Sequence, residues 1–166
     1  MSLILDRATF QNSVATLPLS TYRIGETVIA DGSRTGRLLI LKKGTVAIVK
    51  DGTEIAKVAE PGAVFGELSV LLDQPHAANV HAVEASEFYV AEATTLLTQN
   101  PVAVLHIATM LAQRLNGANR ALIQLKQQLS AGEPQSVVAK TVSRMEGLLL
   151  VNASLVYSGY PNDPYA

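Results

Sequence analysis

Between Gly25 and Gly66 the chain places seven of its eleven glycines, at turn spacing. Short runs favouring extended backbone fill the intervals, at 27–30, 37–42, 45–50 and 53–58. Asp31-Gly32, Lys43-Gly44 and Asp51-Gly52 are tight-turn signals, because such pairs accept the positive φ angles that a short hairpin requires. Val46, Ile48 and Lys50 alternate against Thr45, Ala47 and Val49, so one face of that strand is expected to be the more deeply buried. Two further runs, 79–83 and 88–91, complete the extended set. Many short strands separated by glycine turns predict a sandwich or barrel.

Bulk properties narrow the function classes. The 166 residues suffice for one domain with a real core plus an appendage. Apolar residues make up 48%, which argues against disorder of the whole. A formal net charge of −1 lacks the basic footprint of a nucleic-acid binder. With no cysteine, the chain can form no disulfide, thiolate site or zinc knuckle. The first residues lack the basic and apolar segments of a signal peptide, and no apolar run reaches transmembrane length. A cytoplasmic protein without membrane contact is expected.

The flanks read as helices. Residues 4–16 space Leu5, Phe10 and Val14 on one face, with Asp6 as cap. Thr94 or Thr95 is expected to cap a short helix ending near Asn100, ahead of Pro101. Pro101 opens a long helix, on which Val104, Ala108, Leu111, Leu115, Ala118, Leu122, Leu125 and Leu129 step by alternating fours and threes. That is about four heptads with apolar a and d positions. Gln113, Asn116, Arg120, Gln124 and Gln127 take the outward face. A helix serving only its own globular core carries a wider stripe, so the early part is expected to pack on the strands and the later part on a second copy. Gly117 costs about 1 kcal/mol relative to alanine and suggests close approach of backbone or ligand. Residues 131–134, Ala-Gly-Glu-Pro, stop the helix. Val138, Val142, Met145 and Leu149 predict one more, and 157–166 read as a flexible tail. The expected division is 1–130, roll plus long helix, and 131–166, extra helix plus tail.

The stretch from Phe65 to Val80, Phe-Gly-Glu-Leu-Ser-Val-Leu-Leu-Asp-Gln-Pro-His-Ala-Ala-Asn-Val, carries the candidate chemistry. A helix start at Gly66 and Glu67 offers unpaired backbone N–H groups to an anion. Gly66, lacking Cβ, lets backbone approach a ligand closely. The Glu67 carboxylate only accepts hydrogen bonds, which suits a sugar hydroxyl, although an acid in a first helical turn also serves simply as a cap. Ala77 and Ala78 keep the opposite wall low.

This stretch resembles the phosphate-binding cassette of the cyclic nucleotide-binding domain family, which runs Phe-Gly-Glu-Leu-Ala-Leu, a spacer, then Pro-Arg-Ala-Ala-Thr-Val. The resemblance covers roughly residues 18–130 and is strongest at 62–80. It implies a mainly β fold with flanking helices, a double-stranded β-helix (a jelly-roll-like β-roll) followed by a long C-terminal helix. It further implies a regulatory, signalling module that binds cAMP or cGMP weakly, or a related small anion, and answers through its long helix to a protein effector. The site would comprise Phe65, Gly66, Glu67, Leu68, Ser69, His76, Ala77, Ala78, Asn79 and Asn119. Glu67 would accept the ribose 2′-hydroxyl, and the amides of Gly66, Leu68 and Ser69 would face the phosphate.

There are two departures. His76 stands where the family has arginine, and Asn79 where it has threonine. Imidazole offers one aimed donor in place of a planar fork, and is only partly charged near neutral pH. His76 is therefore either a weak phosphate ligand or a solvated loop residue. Asn79 reads as a turn residue or a polar ligand contact. Asn119 reads as an ordinary helix-surface position or, by its alignment in the long helix, as an amide facing a purine edge; Ala118 beside it cannot make such a contact.

Catalysis finds no footing. His76, His81 and His106 share no metal-ligand spacing, and no nucleophile elbow or P-loop occurs. Two alternatives to a nucleotide receptor stay open. One is a dimeric scaffold, joined through 104–129, that keeps the fold without the ligand. The other is a regulator of the catabolite-activator type lacking its DNA-reading domain, since the 36 residues after Ser130 are too few and too weakly basic to supply one.

Overall fold

The computed structural model describes residues 6–150. Among these residues eight strands form two four-stranded antiparallel sheets, which face each other as a roll. One sheet orders β1 (Leu19–Tyr22), β8 (Ser86–Glu92), β3 (Arg37–Lys43) and β6 (Val64–Phe65). The other orders β2 (Thr27–Ile29), β7 (Asn79–Ala82), β4 (Val46–Lys50) and β5 (Thr53–Val58). The mainly β class, the roll and the long helix after it are as the resemblance implied. Strands β1 and β6 were not expected: β1 shows only half-burial on one face, and β6 has two residues.

Side-chain alternation explains the uninterrupted apolar run of β3. Leu39 and Leu41 point into the roll with Ile29, Val46, Ile48, Phe65, Val80 and Phe88. Leu38 and Ile40 point the other way, beneath the helices, with Phe10, Val14, Val64, Leu96 and Ile107. A strand covered on both faces needs apolar residues at every position. In the roll interior Phe88 is edge-on to Tyr22 at 5.6 Å and to Phe65 at 5.9 Å, the T-shaped arrangement that aromatic quadrupoles favour. The alternation expected in β4 is blurred, because Val46, Ala47 and Ile48 are all buried.

Among the described residues five helices surround or interrupt the roll: α1 (Arg7–Val14), α2 (Glu67–Leu71), α3 (Ala93–Gln99), α4 (Pro101–Ser130) and α5 (Gln135–Leu150). Asp6 caps α1, its carboxylate accepting from the Thr9 amide at 2.6 Å. Leu5, Leu149 as a side chain, and the expected tail lie outside the described residues. Asn100 accepts from the Ala103 amide at 2.9 Å and donates to the Ser13 carbonyl at 3.1 Å, so one side chain starts α4 and ties it to α1.

The cap of α3 differs from the expected threonine. Glu92 accepts from the amides of both Thr94 and Thr95. Hydrogen bonding from Thr95, by side chain and then backbone, together with the Thr94 amide holds its carboxyl down to about 2. A depressed carboxyl pKa stabilises the fold above the ordinary carboxylate range and loses that contribution as pH falls through its folded-state value. Acid unfolding followed by circular dichroism should therefore show the wild-type protein losing its stability advantage over a Glu92→Gln variant progressively between about pH 4.5 and 2. An unchanged difference across that window would contradict the cap.

Helix α4 carries two apolar seams rather than one. The buried seam is Ala103, Ile107, Met110, Arg114, Ala118 and Ala121, one residue out of step with most of the expected heptad positions. Of the expected seam only Ala118 is buried, whereas Leu115, Leu122 and Leu129 are 60%, 41% and 62% exposed. Helix α5 folds back along α4 as a hairpin and also touches β5. Thr141 donates to the Gln128 side chain at 2.8 Å, and Arg144 donates to that of Gln124, a residue expected to face outward. Gly117 admits this neighbour, since a Cβ there would sit 3.1 Å from Leu148 Cδ2. The inward face of α5 is set by Thr141 and Leu148 rather than by Val142, which is exposed.

Candidate functional site

The β6–α2 junction forms the floor of a cleft. Gly66 adopts a φ of 94° and caps α2. A side chain there would be strained, and a Cβ would meet the Arg37 carbonyl oxygen at 2.7 Å. The first intrahelical bond of α2 runs from the Val70 amide to the Gly66 carbonyl at 3.1 Å. The amides of Glu67, Leu68 and Ser69 precede it and have no helical acceptor. The Ser69 hydroxyl donates to the Gln74 carbonyl at 2.6 Å, and the Gln74 amide returns to the Ser69 carbonyl at 3.0 Å. These two bonds fix the connection leading to Pro75 and His76.

The cleft holds about 500 Å³ of open space, its mouth included. Phe65, Gly66, Glu67, Leu68 and Ser69 line one side, Gln74 to Ala78 the other, and Ile29, Ile48 and Val80 the apolar back. Eight of the ten expected site residues thus meet in one cavity. The other two do not. Asn79 accepts from the Asp31 amide at 2.9 Å, which makes it a tie to the β2–β3 turn. Asn119 is exposed on α4, away from the cleft.

His76 is not a solvated loop residue. It is only 7% exposed, its amide donates to the Ser33 carbonyl at 2.9 Å, and its Nε2 lies 3.2 Å from the Thr35 hydroxyl. Burial pushes its pKa below 6.5, and the nearby Glu67 carboxylate offsets part of that. Without a ligand it is therefore a neutral imidazole at neutral pH.

Glu67 is 5% exposed, and its Oε1 accepts from Nη1 of Arg114, itself a buried residue of α4. Arg114 Nε in turn donates to the Leu148 carbonyl at 3.0 Å, in the last turn of α5. Sequence reasoning passed over both partners. The available signal was an arginine four residues after Met110 on the buried seam, where a charge is tolerated only with a partner.

Residues 19–99 match the model of the cyclic nucleotide-binding domain. The roll belongs to that family. Over 68 residues the chain is 34% identical to a cGMP-dependent protein kinase of Plasmodium berghei, covering 41% of this chain and 8% of that protein. Over 60 residues it is 35% identical to a cAMP-dependent protein kinase regulatory subunit of Yarrowia lipolytica, covering 36% of this chain and 16% of that one. The chain thus spans only a small part of the length of these relatives.

Among solved structures, the catabolite activator protein of Thermus thermophilus superposes with a TM-score of 0.56 at 20% identity, over 87% of this chain and 82% of that one. A cyclic nucleotide-binding domain from Methylobacillus flagellatus superposes with a TM-score of 0.57 at 23% identity, over 66% and 68%. At such identities these two matches establish the fold of the domain. Among the described residues no helix is long and apolar enough to cross a membrane, and no cluster of acidic and imidazole side chains could hold a metal ion.

Proposed function

We infer that this cyclic nucleotide-binding domain is a regulatory receptor for cAMP or cGMP. The observation that carries the reading is the left-handed Gly66 at the head of α2, which leaves three amides without a helical acceptor at the floor of a cleft. The cyclic phosphate sits on those amides beside His76, the ribose 2′-hydroxyl donates to Glu67, and the base lies towards the apolar back. Support comes from the family membership of residues 19–99 and from kinase relatives named for cGMP and cAMP. Two copies pair through the exposed Leu115, Leu122 and Leu129 of α4, and the signal passes along that helix to a protein effector.

Titration calorimetry of the full chain with cAMP and with cGMP tests this. The expected result is one site per chain, weaker than in arginine-bearing cassettes by about ten- to a hundredfold, the worth of a charge-assisted hydrogen bond. A stable dimer that takes up neither nucleotide at millimolar concentration would leave the scaffold reading in its place.

A further inference from the structure

We propose that Thr35 is the positioning residue of His76: its hydroxyl takes Nε2, so that the proton of the neutral ring sits on Nδ1, the nitrogen left for the ligand. The proposal rests on the nucleotide-binding reading and adds how that site aims its imidazole.

Its basis is the loop between β2 and β3, which lies along the segment leading into β7. The Gly32 amide donates to the His76 carbonyl at 2.8 Å, and the His76 amide donates to the Ser33 carbonyl at 2.9 Å. Arg34 donates to the Asp73 carbonyl at 3.1 Å, and the Asp31 amide donates to the Asn79 side chain at 2.9 Å. Both residues that depart from the family's cassette, His76 and Asn79, are thus held by one loop. The backbone bonds fix where the His76 ring begins, and Thr35 decides how it is turned.

The two ring nitrogens have different neighbours. Nε2 lies 3.2 Å from Thr35 Oγ1, whereas Nδ1 meets no partner among the described residues. Cε1, bonded to both nitrogens, lies beside Gly66, 3.3 Å from where a Cβ would stand. The ring therefore meets the cleft at the head of α2, where the first amides lack helical acceptors. The Thr35 oxygen already accepts from the Arg37 amide at 3.3 Å, and its proton has no other acceptor among the described residues. Donated to Nε2, that proton satisfies both groups and puts the ring's own proton on Nδ1. The opposite tautomer would leave the hydroxyl proton without a protein acceptor and present a lone pair to an anionic ligand. When a bound phosphate brings a second proton to the ring, the hydroxyl turns and accepts from Nε2–H through its second lone pair.

The test reads tautomer and affinity separately, on the full chain. Side-chain nitrogen NMR at pH about 7.5, above the ordinary histidine pKa of about 6.5, shows which ring nitrogen carries the proton, with His76→Ala to assign the signal. The wild-type ring should carry it on Nδ1. Thr35 is exposed, so Thr35→Val keeps the fold and lets water meet Nε2. In that variant the proton should move to Nε2 in about half of the molecules or more, and Thr35→Ser should return it. Thr35→Val should also bind cAMP or cGMP about fivefold more weakly, with Thr35→Ser within about twofold of wild type. A merely structural threonine would leave the tautomer unmoved. A wild-type proton on Nε2, or an Nδ1 proton undiminished in Thr35→Val, overturns the role. So does equal affinity of wild type and Thr35→Val, which leaves nucleotide binding itself intact. No binding by any form, His76→Arg included, overturns the receptor reading and this role with it.

Discussion

Arg114→Ala should cost the folded protein about 3–5 kcal/mol in urea denaturation, the usual penalty for stranding one member of a buried ion pair. The magnitude follows from burial: the Glu67 and Arg114 side chains are 7% and 6% exposed, so water cannot replace the lost partner. An exposed pair such as Arg34 with Asp73, at 2.9 Å, should by contrast contribute no more than about 1 kcal/mol. Adding Glu67→Gln to Arg114→Ala should recover a substantial part of the loss, because a neutral amide no longer demands a cation. Loss of less than 1 kcal/mol in the single variant, or strictly additive losses in the double, would show that the two groups do not depend on each other.

His76→Arg should tighten cyclic nucleotide binding by about ten- to a hundredfold, since a guanidinium fork grips two phosphate oxygens where imidazole reaches one. The wild-type protein should also show a pH dependence that the arginine variant lacks. In the free protein His76 lies below 6.5, chiefly through burial, with Glu67 from α2 pulling the other way and the Thr35 hydroxyl at its Nε2. A singly charged cyclic phosphate stabilises imidazolium, so binding takes up a proton and raises that pKa. Affinity should therefore climb as pH falls from the bound-state pKa to the free-state one, and level off on either side.

The free fold moves the other way: a histidine held neutral contributes stability above 6.5 that is lost as pH drops through its folded-state value. His106 is depressed as well, by burial, and its Nε2 lies 3.0 Å from the Gly62 carbonyl, so His76→Ala is the control that isolates the site. A flat binding profile in the wild type, unchanged by His76→Ala, would remove His76 from the phosphate contact.

What could be read from the residues was what neighbours in sequence decide. Glycine turns, the continuous apolar run of β3, and the Pro101 start of α4 are settled within a few positions. The floor of the cleft is equally local, because Gly66 and the first turn of α2 make it together. What escaped was set by distant partners. Glu67 and Arg114 are 47 residues apart, Arg114 and Leu148 34. The heptad rule selected Ala118 and the leucines of α4, three of which lie on its exposed seam, and passed over the smaller Ala103 and Ala121, which face inward, where close approach favours a short side chain. Glu92 displaced the expected threonine cap because its longer side chain reaches two amides at once.

The two seams of α4 have a mechanical meaning. Adjacent residues on a helix point about 100° apart, so Arg114 and Leu115 look in directions separated by little more than a quarter turn. The helix is in effect a keyed shaft: one flank is read by its own domain, the other is offered outward. It cannot spin, even slightly, without altering both engagements together. A disturbance at the Glu67 end of the key would reach the outward flank as torque, with no need for the roll itself to change shape.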